Sequence, residues 1–88
     1  MAYCRRGGAS ATFDRLNKYF TINDMPVVSS QYWTSVHGRL PGEASQDAEG
    51  LQTMRTLGDN MVWVLKSLKH GGQPIPEREP GIMTNFIR

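Results

Sequence analysis

The most restrictive feature of the chain is a long amphipathic pattern from about Ser45 to His70. Its apolar residues recur every three or four positions, the spacing that places side chains on one face of an α-helix. These residues are Leu51, Met54, Leu57, Met61, Val64, Leu65 and Leu68. Gly71 and Gly72 follow directly and favour a left-handed end to the helix. The pattern predicts one long helix whose apolar stripe must be covered by another part of a fold.

A shorter helix is predicted earlier in the chain, with Ser10 as its N-cap. Its apolar residues are Phe13, Leu16, Tyr19 and Phe20. Asn23 and Asp24 follow, and because their side chains compete for backbone hydrogen bonds, we expect them to end the helix.

Two short segments have the composition of strands. Residues 1–4 read as the end of a strand that enters a glycine turn, and residues 25–30 form a β-branched apolar run in which Pro26 is tolerable near the start. Strands that alternate with helices favour a parallel pair joined by a crossover. The sequence therefore predicts an α/β fold, β-α-β-α with parallel strands, over residues 1–72. Three prolines predict an extended tail over residues 73–88 that docks on the domain or on a neighbouring subunit.

Composition excludes several kinds of protein. The chain has 88 residues, a formal net charge of +2 and one cysteine, Cys4, which rules out an internal disulfide and a zinc cluster. Basic residues form no cluster beyond Arg5-Arg6, so we expect no nucleic-acid partner. We also expect no membrane partner, since no apolar run approaches roughly 20 residues. The thiol count fits a cytoplasmic protein. Because a fold this small is marginally stable, we expect a homo-oligomer.

Two loops are candidates for ligand binding, because ligands of open α/β sheets bind at the carboxyl ends of the strands. The first runs from Arg5 to Ser10, where glycines let the backbone approach a ligand and amides near a helix start can donate to oxygens. The second runs from Tyr32 to Gly38 and offers aromatic surfaces and the imidazole of His37.

Each candidate also has a purely structural interpretation. A glycine pair is a weak motif and often marks only a tight turn. Tyr32 and Trp33 are of a type that commonly anchors a core or an interface. A lone histidine such as His37 is more often a hydrogen-bonded structural residue than a catalyst. The residues alone leave these alternatives open.

The order of the segments adds a resemblance. The segments that carry it are Arg5-Arg6-Gly7-Gly8-Ala9 before a helix, residues 25–33, Val36-His37-Gly38, residues 47–58, residues 77–80 and residues 84–88. Together they resemble the C-terminal half of the NADPH-dependent FMN reductases of the flavodoxin-like superfamily. No single segment is diagnostic, and the joint order and spacing carry the resemblance.

The resemblance implies a cofactor, a fold and a site. Family members transfer a hydride from NADPH to FMN on a five-stranded parallel sheet, and they are commonly oligomers. The flavin-binding positions implied here are Arg5, Arg6, Gly7, Gly8, Ala9, Tyr32, Trp33 and His37, at the rim of the flavin ring. No catalytic residue and no metal site is implied.

The chain departs from that family in one large respect. It lacks the first strand with its phosphate-binding loop and the loop after the third strand that covers the flavin ring. We therefore expect a partial flavin reductase that is inactive as an isolated chain, with a non-catalytic oligomerising module as the alternative. An exposed sheet edge should then favour association.

Overall fold

A computed structural model describes residues 8–84 and residue 86. The described elements are helix α1, Ala9–Ile22, a 3₁₀ helix, Glu43–Gln46, and helix α2, Ala48–Gly71. A segment without helix or strand, residues 25–38, connects α1 to the turn before the 3₁₀ helix; it bends at Gln31 and Tyr32, and we call it the extended segment. No helix in the described ranges is both long enough and apolar enough to cross a lipid bilayer.

Helix α1 confirms the first predicted helix but not its cap. The helix begins one residue before Ser10, and its N-cap is Gly8, whose φ of 93° lies in the left-handed region that favours glycine. The prediction of Ser10 as the N-cap is therefore wrong. The predicted end is confirmed, because the backbone N–H of Asn23 donates to the carbonyl oxygen of Phe20 and Asp24 adopts a φ of 57°.

Helix α2 confirms the long helix that the amphipathic pattern predicted. Asp47 is its N-cap, Glu49 lies in its first turn, and Lys69 and His70 lie in its last turn, which suits the helix dipole. Gly72 ends the helix with a φ of 57°, as the glycine pair predicted.

The predicted α/β fold with parallel strands is wrong for the described residues, which form helices and no strand. Residues 25–30 are extended, as their β-branched composition favours, but a strand exists only when a neighbouring backbone pairs with it. Within residues 8–84 the segment has no such neighbour. The other predicted strand, residues 1–4, lies outside the described residues.

The extended segment lies along α2, and side chains make the contacts between them. The Ser30 hydroxyl donates to the Thr53 carbonyl oxygen at 2.7 Å, and the Asn60 amide donates to the Ser29 carbonyl oxygen at 2.9 Å. The Thr56 hydroxyl lies 3.1 Å from Oε1 of Gln31. These bonds fix the segment on one face of α2 without a sheet.

Very little of the described chain is buried. Val36 is the buried apolar residue, Thr53 is 1% exposed, and Gly50 is also buried. The chain exposes 8176 Å², whereas a compact protein of this mass exposes roughly 5,200 Å². Its radius of gyration is 17.8 Å, against about 12 Å for a compact domain of this length. The helices therefore do not enclose a core of their own.

The C-terminal tail forms neither helix nor strand over its described residues, 73–84. Arg78 forms an ion pair with Asp24, at the end of α1, with a nitrogen–oxygen distance of 2.8 Å. Beyond that contact Ile82 and Met83 are almost fully exposed. Docking of this tail on a neighbouring subunit stays a prediction.

Candidate functional site

The described residues form a concave, apolar groove of about 750 Å³. Residues from α1, from the extended segment and from α2 line it, and none of them carries a carboxylate, ammonium or guanidinium group. The lining residues are Phe13, Leu16, Asn17, Phe20, residues 25–34, Leu57 and Met61. The groove can therefore take a flat or elongated apolar group, and its described lining offers no countercharge to an anion.

Aromatic rings form one end of the groove. The rings of Phe13 and Trp33 lie 5.6 Å apart at an angle of 55°, and the rings of Tyr32 and Trp33 lie 6.1 Å apart at 46°. These tilted arrangements are favourable for aromatic pairs. Trp33 nevertheless stays 55% exposed and Tyr32 62% exposed. Large ring faces are thus held in place while they remain accessible.

The backbone of the groove offers unused hydrogen-bond donors. Within the described residues, no backbone N–H from Val27 to Thr34 donates a hydrogen bond, whereas the N–H of Ser35 donates to the Trp33 carbonyl oxygen. Backbone donors in folded proteins are nearly always paired. The segment therefore has the hydrogen-bonding capacity of a strand edge.

A second polar cluster stands where the extended segment meets the start of α2, and we call it the α2 corner: Ser35, His37, Asp47 and Gly50. The two oxygens of Asp47 have different tasks. Oδ1 accepts from the backbone N–H of Gly50 at 2.9 Å, and Oδ2 accepts from the backbone N–H of His37 at 2.7 Å. One carboxylate thus caps the helix and holds the incoming segment.

Both bonds lower the pKa of Asp47 below its ordinary value of 3.8, and the bond from Gly50 contributes more to this shift than the bond from His37. Nδ1 of His37 lies 3.5 Å from Oδ2 of Asp47 and adds to the effect. The charged form of Asp47 is therefore the form that this corner stabilises.

Glu43 plays a similar role in the preceding turn. Its Oε2 accepts from the backbone N–H groups of Arg39 and Leu40 at 2.8 and 2.9 Å. Both bonds lower the pKa of Glu43 below its ordinary value of 4.5, and the bond from Leu40 contributes more than the bond from Arg39. Both carboxylates bind the backbone and serve structure.

The predicted flavin-binding residues fall into four groups. Arg5, Arg6 and Gly7 lie outside the described residues. Gly8 and Ala9 start α1, one helical turn before Phe13, whose ring contacts Trp33, so this end of α1 lies near the aromatic end of the groove. Tyr32 and Trp33 line the groove itself.

His37 stands apart from the groove, at the α2 corner, where its backbone and ring both face Asp47. This position agrees with the structural interpretation of a lone histidine. Its role at a flavin stays a prediction.

Sequence reasoning missed the residues that join the segment to α2. At Gly58, another glycine inside α2, no described atom lies within 4 Å of the place that a β-carbon would take. The close approach is at Gly50, where a β-carbon would clash with Oδ2 of Asp47 and lie 2.9 Å from the Ser35 carbonyl oxygen. A glycine three residues after an aspartate N-cap was the available signal.

Comparison with known proteins finds one informative similarity. The chain is 33% identical over 70 residues to an iron-sulfur flavoprotein of Methanocaldococcus jannaschii, and the match covers 74% of the chain. The chain spans 36% of that relative's length. No protein-family model and no solved structure matches the chain. The similarity supports a relationship to flavoproteins.

Proposed function

We propose that this chain supplies the ring-binding part of an FMN-dependent NAD(P)H oxidoreductase. The observation that carries the proposal is the combination of a flavoprotein relative with an apolar, aromatic-ended groove. Because the chain spans 36% of the relative's length, the activity belongs to a complete enzyme that this chain would form part of. When bound, the flavin would accept a hydride from the nicotinamide, and the residues of this chain would hold and orient the ring.

The groove suits the ring of a flavin. Its volume lies within the range of about 300–1,000 Å³ that small-molecule sites occupy. An isoalloxazine is flat and largely apolar, so the exposed face of Trp33 offers a stacking surface. The carbonyl and nitrogen edge of the isoalloxazine needs donors. The backbone N–H groups from Val27 to Thr34, which have no partner among the described residues, are of the right kind.

The groove does not suit the phosphate of FMN. A phosphate requires a cation or a set of converging backbone amides. Among the described residues, the groove lining has no lysine or arginine. We therefore infer that the described part of the chain recognises the ring and that groups outside this groove lining supply the phosphate contacts.

The chain does not suit an iron-sulfur cluster. Such clusters are held mainly by cysteine thiolates, four in the common types, whereas this chain has one cysteine. Among the described residues no group of three or more metal-binding side chains comes together. The proposal accordingly concerns a flavin and includes no cluster.

Flavin titration tests the proposal, with riboflavin and FMN compared on the isolated chain. Ring recognition without a phosphate site predicts weak binding, in the micromolar range or weaker, with riboflavin and FMN bound about equally, within about threefold. Flavin fluorescence quenching and calorimetry measure both affinities. FMN bound more than tenfold tighter than riboflavin would contradict the missing phosphate site, and no binding of either at millimolar concentration would contradict ring recognition.

The two tryptophans give a matched pair of variants. Trp33 lines the groove, and Trp63 is 70% exposed on α2 outside it. Trp33→Ala should weaken flavin binding by about tenfold through lost stacking, whereas Trp63→Ala should leave it unchanged. Equal effects from both substitutions would show that binding takes place elsewhere.

A further inference from the structure

We propose that residues 79–84 of the C-terminal tail are a strap, whose apolar side chains fold back over one end of the groove in the same chain. This end lies next to the turn between α1 and the extended segment, and we call it the turn end: Leu16, Phe20, Met25 and Val27. The proposal does not depend on flavin binding. It rests on the path of the groove, on an ion pair beside it, and on the composition and reach of the tail.

Different contacts fix the two ends of the groove. At the turn end, the backbone N–H of Met25 donates to the Phe20 carbonyl oxygen at 3.0 Å. At the other end, the ring of Phe13 contacts the ring of Trp33. Helix α1 and the extended segment therefore run in opposite directions along the groove. Since Phe13 and Phe20 both belong to α1, the turn end lies about two helical turns, or about 10 Å, from the aromatic rings.

An ion pair holds the tail beside the turn end. Asp24 lies in the turn itself, directly before Met25, and its Oδ2 lies 2.8 Å from Nη2 of Arg78. The two side chains are 68% and 62% exposed, so the pair contributes little to stability. The pair acts on position, because a tethered segment has a high effective concentration near its anchor.

The tail beyond this anchor matches the turn end in composition and length. Residues 80–84 carry no charge, and Ile82 and Met83 are almost fully exposed. The side chains of the turn end are uncharged too, and they are between 38% and 52% exposed. At full extension the chain from Arg78 to Ile82 spans about 14 Å, and that from Asp24 to Val27 about 11 Å. The tail is therefore long enough for its apolar side chains to cover those of the turn end and remove both from water.

The anchor favours the tail of the same chain as the occupant. It brings Ile82 and Met83 to the turn end at an effective concentration that an untethered molecule in dilute solution does not reach. The strap leaves the rings at the aromatic end accessible, because it stops about two helical turns short of them. A closed strap and a ring stacked on Trp33 are therefore compatible.

Disulfide formation between introduced cysteines tests the strap, in the full chain with Cys4→Ser. One variant combines Val27→Cys with Ile82→Cys, and its control combines Val27→Cys with Ile75→Cys. Ile75 is also exposed and stands three residues before Arg78, whereas Ile82 stands four residues after it. A tail that only hangs from the ion pair would bring both positions about equally close to residue 27. The strap should make the 27/82 disulfide form at least about tenfold faster than the 27/75 disulfide.

Urea supplies the reference for an unfolded chain, in which the two loops have nearly the same length and the two rates should agree within about twofold. Far-ultraviolet circular dichroism verifies that the variants keep their helices without urea. Equal rates for the two pairs in the folded chain would overturn the proposal.

Substitution of the anchor completes the test. In the 27/82 variant, Arg78→Gln removes the ion pair and should slow the disulfide at least about threefold, whereas Arg78→Lys keeps the charge and should slow it less than about twofold. Arg55→Gln removes a charge from α2 instead and should leave the rate unchanged. Non-reducing electrophoresis, over a dilution of about a hundredfold, separates disulfides within one chain from those between two. A disulfide that forms only between two chains, or a rate that Arg78→Gln does not change, would overturn the strap.

Discussion

The α2 corner and the apolar groove are neighbours along the chain, yet their contacts differ completely. In the corner, Asp47 binds two backbone amides at 2.7 and 2.9 Å, and the adjacent Val36 and Gly50 are buried. In the groove, Trp33 and Val27 are about half exposed and the backbone donors beside them have no described partner.

The two regions differ in the sequence separation between the residues that contact each other. The bonds of Asp47 join residues three and ten positions apart, so the corner can form from one short stretch. A groove lined by two helices and a strand-like segment needs a further layer to cover it, because a helix or sheet face must pack against another element. The corner is complete within this chain, and the groove is a surface that needs an occupant.

The largest effect is expected from the substitution Gly50→Ala, which should disrupt the corner. The added β-carbon would clash with Oδ2 of Asp47 and press on the Ser35 carbonyl oxygen. Neither the cap nor the segment can move without losing a hydrogen bond, so we expect a loss of about 1–3 kcal/mol in the free energy of unfolding. Urea denaturation followed by circular dichroism at 222 nm measures it.

Gly58→Ala is the matched control, since it adds the same methyl group to the same helix with no described atom within 4 Å. Alanine is the better helix former, so this variant should gain up to about 1 kcal/mol. The two substitutions should therefore act in opposite directions. Equal gains would show that the corner is not closely packed.

A smaller effect is expected from Asp47→Ala, which removes both bonds of the cap and should lower the melting temperature by roughly 5 °C near neutral pH. The folded corner lowers the pKa of Asp47, so its contribution to stability is present above the ordinary value of 3.8 and is lost as the pH falls below it. The difference between parent and variant should therefore shrink in acid. Thermal melts from pH 7 to about pH 2 measure it.

Asp47→Ser separates capping from charge. Serine is a good N-cap that does not titrate, so this variant should keep most of the helix start and lose part of the acid dependence. The remaining acid dependence should include Glu43, whose pKa is also lowered. An acid profile identical to that of the parent would contradict the role given to the Asp47 carboxylate.

The helices could be predicted from sequence because their signals are local. The apolar spacing from Leu51 to Leu68 and the glycines at 71 and 72 predicted α2, and its end was confirmed at Gly72. The cap of α1 was predicted wrongly, because Ser10 has the right side chain but Gly8 has the backbone freedom that the preceding turn requires.

The sheet could not be predicted correctly because a strand depends on its neighbour. The β-branched residues around Val27 and Val28 favour an extended backbone, and the structure has one. Whether such a segment becomes a strand depends on a partner that composition does not encode. The same holds for the site: Tyr32 and Trp33 were identified by type, whereas the place of Trp33 beside Phe13 follows from the path of the chain after α1.

The smallest effect is expected where the two regions meet, at the hydrogen bond from Ser30 to the Thr53 carbonyl oxygen. Ser30→Ala should cost about 0.5–1 kcal/mol of unfolding free energy, because that carbonyl keeps its hydrogen bond within α2 and is not left unsatisfied. Ser29→Ala is the control, since Ser29 uses its backbone oxygen to bind Asn60 and keeps that bond. A similar loss in both variants would mean that the Ser30 hydroxyl does not stabilise the contact between the extended segment and α2.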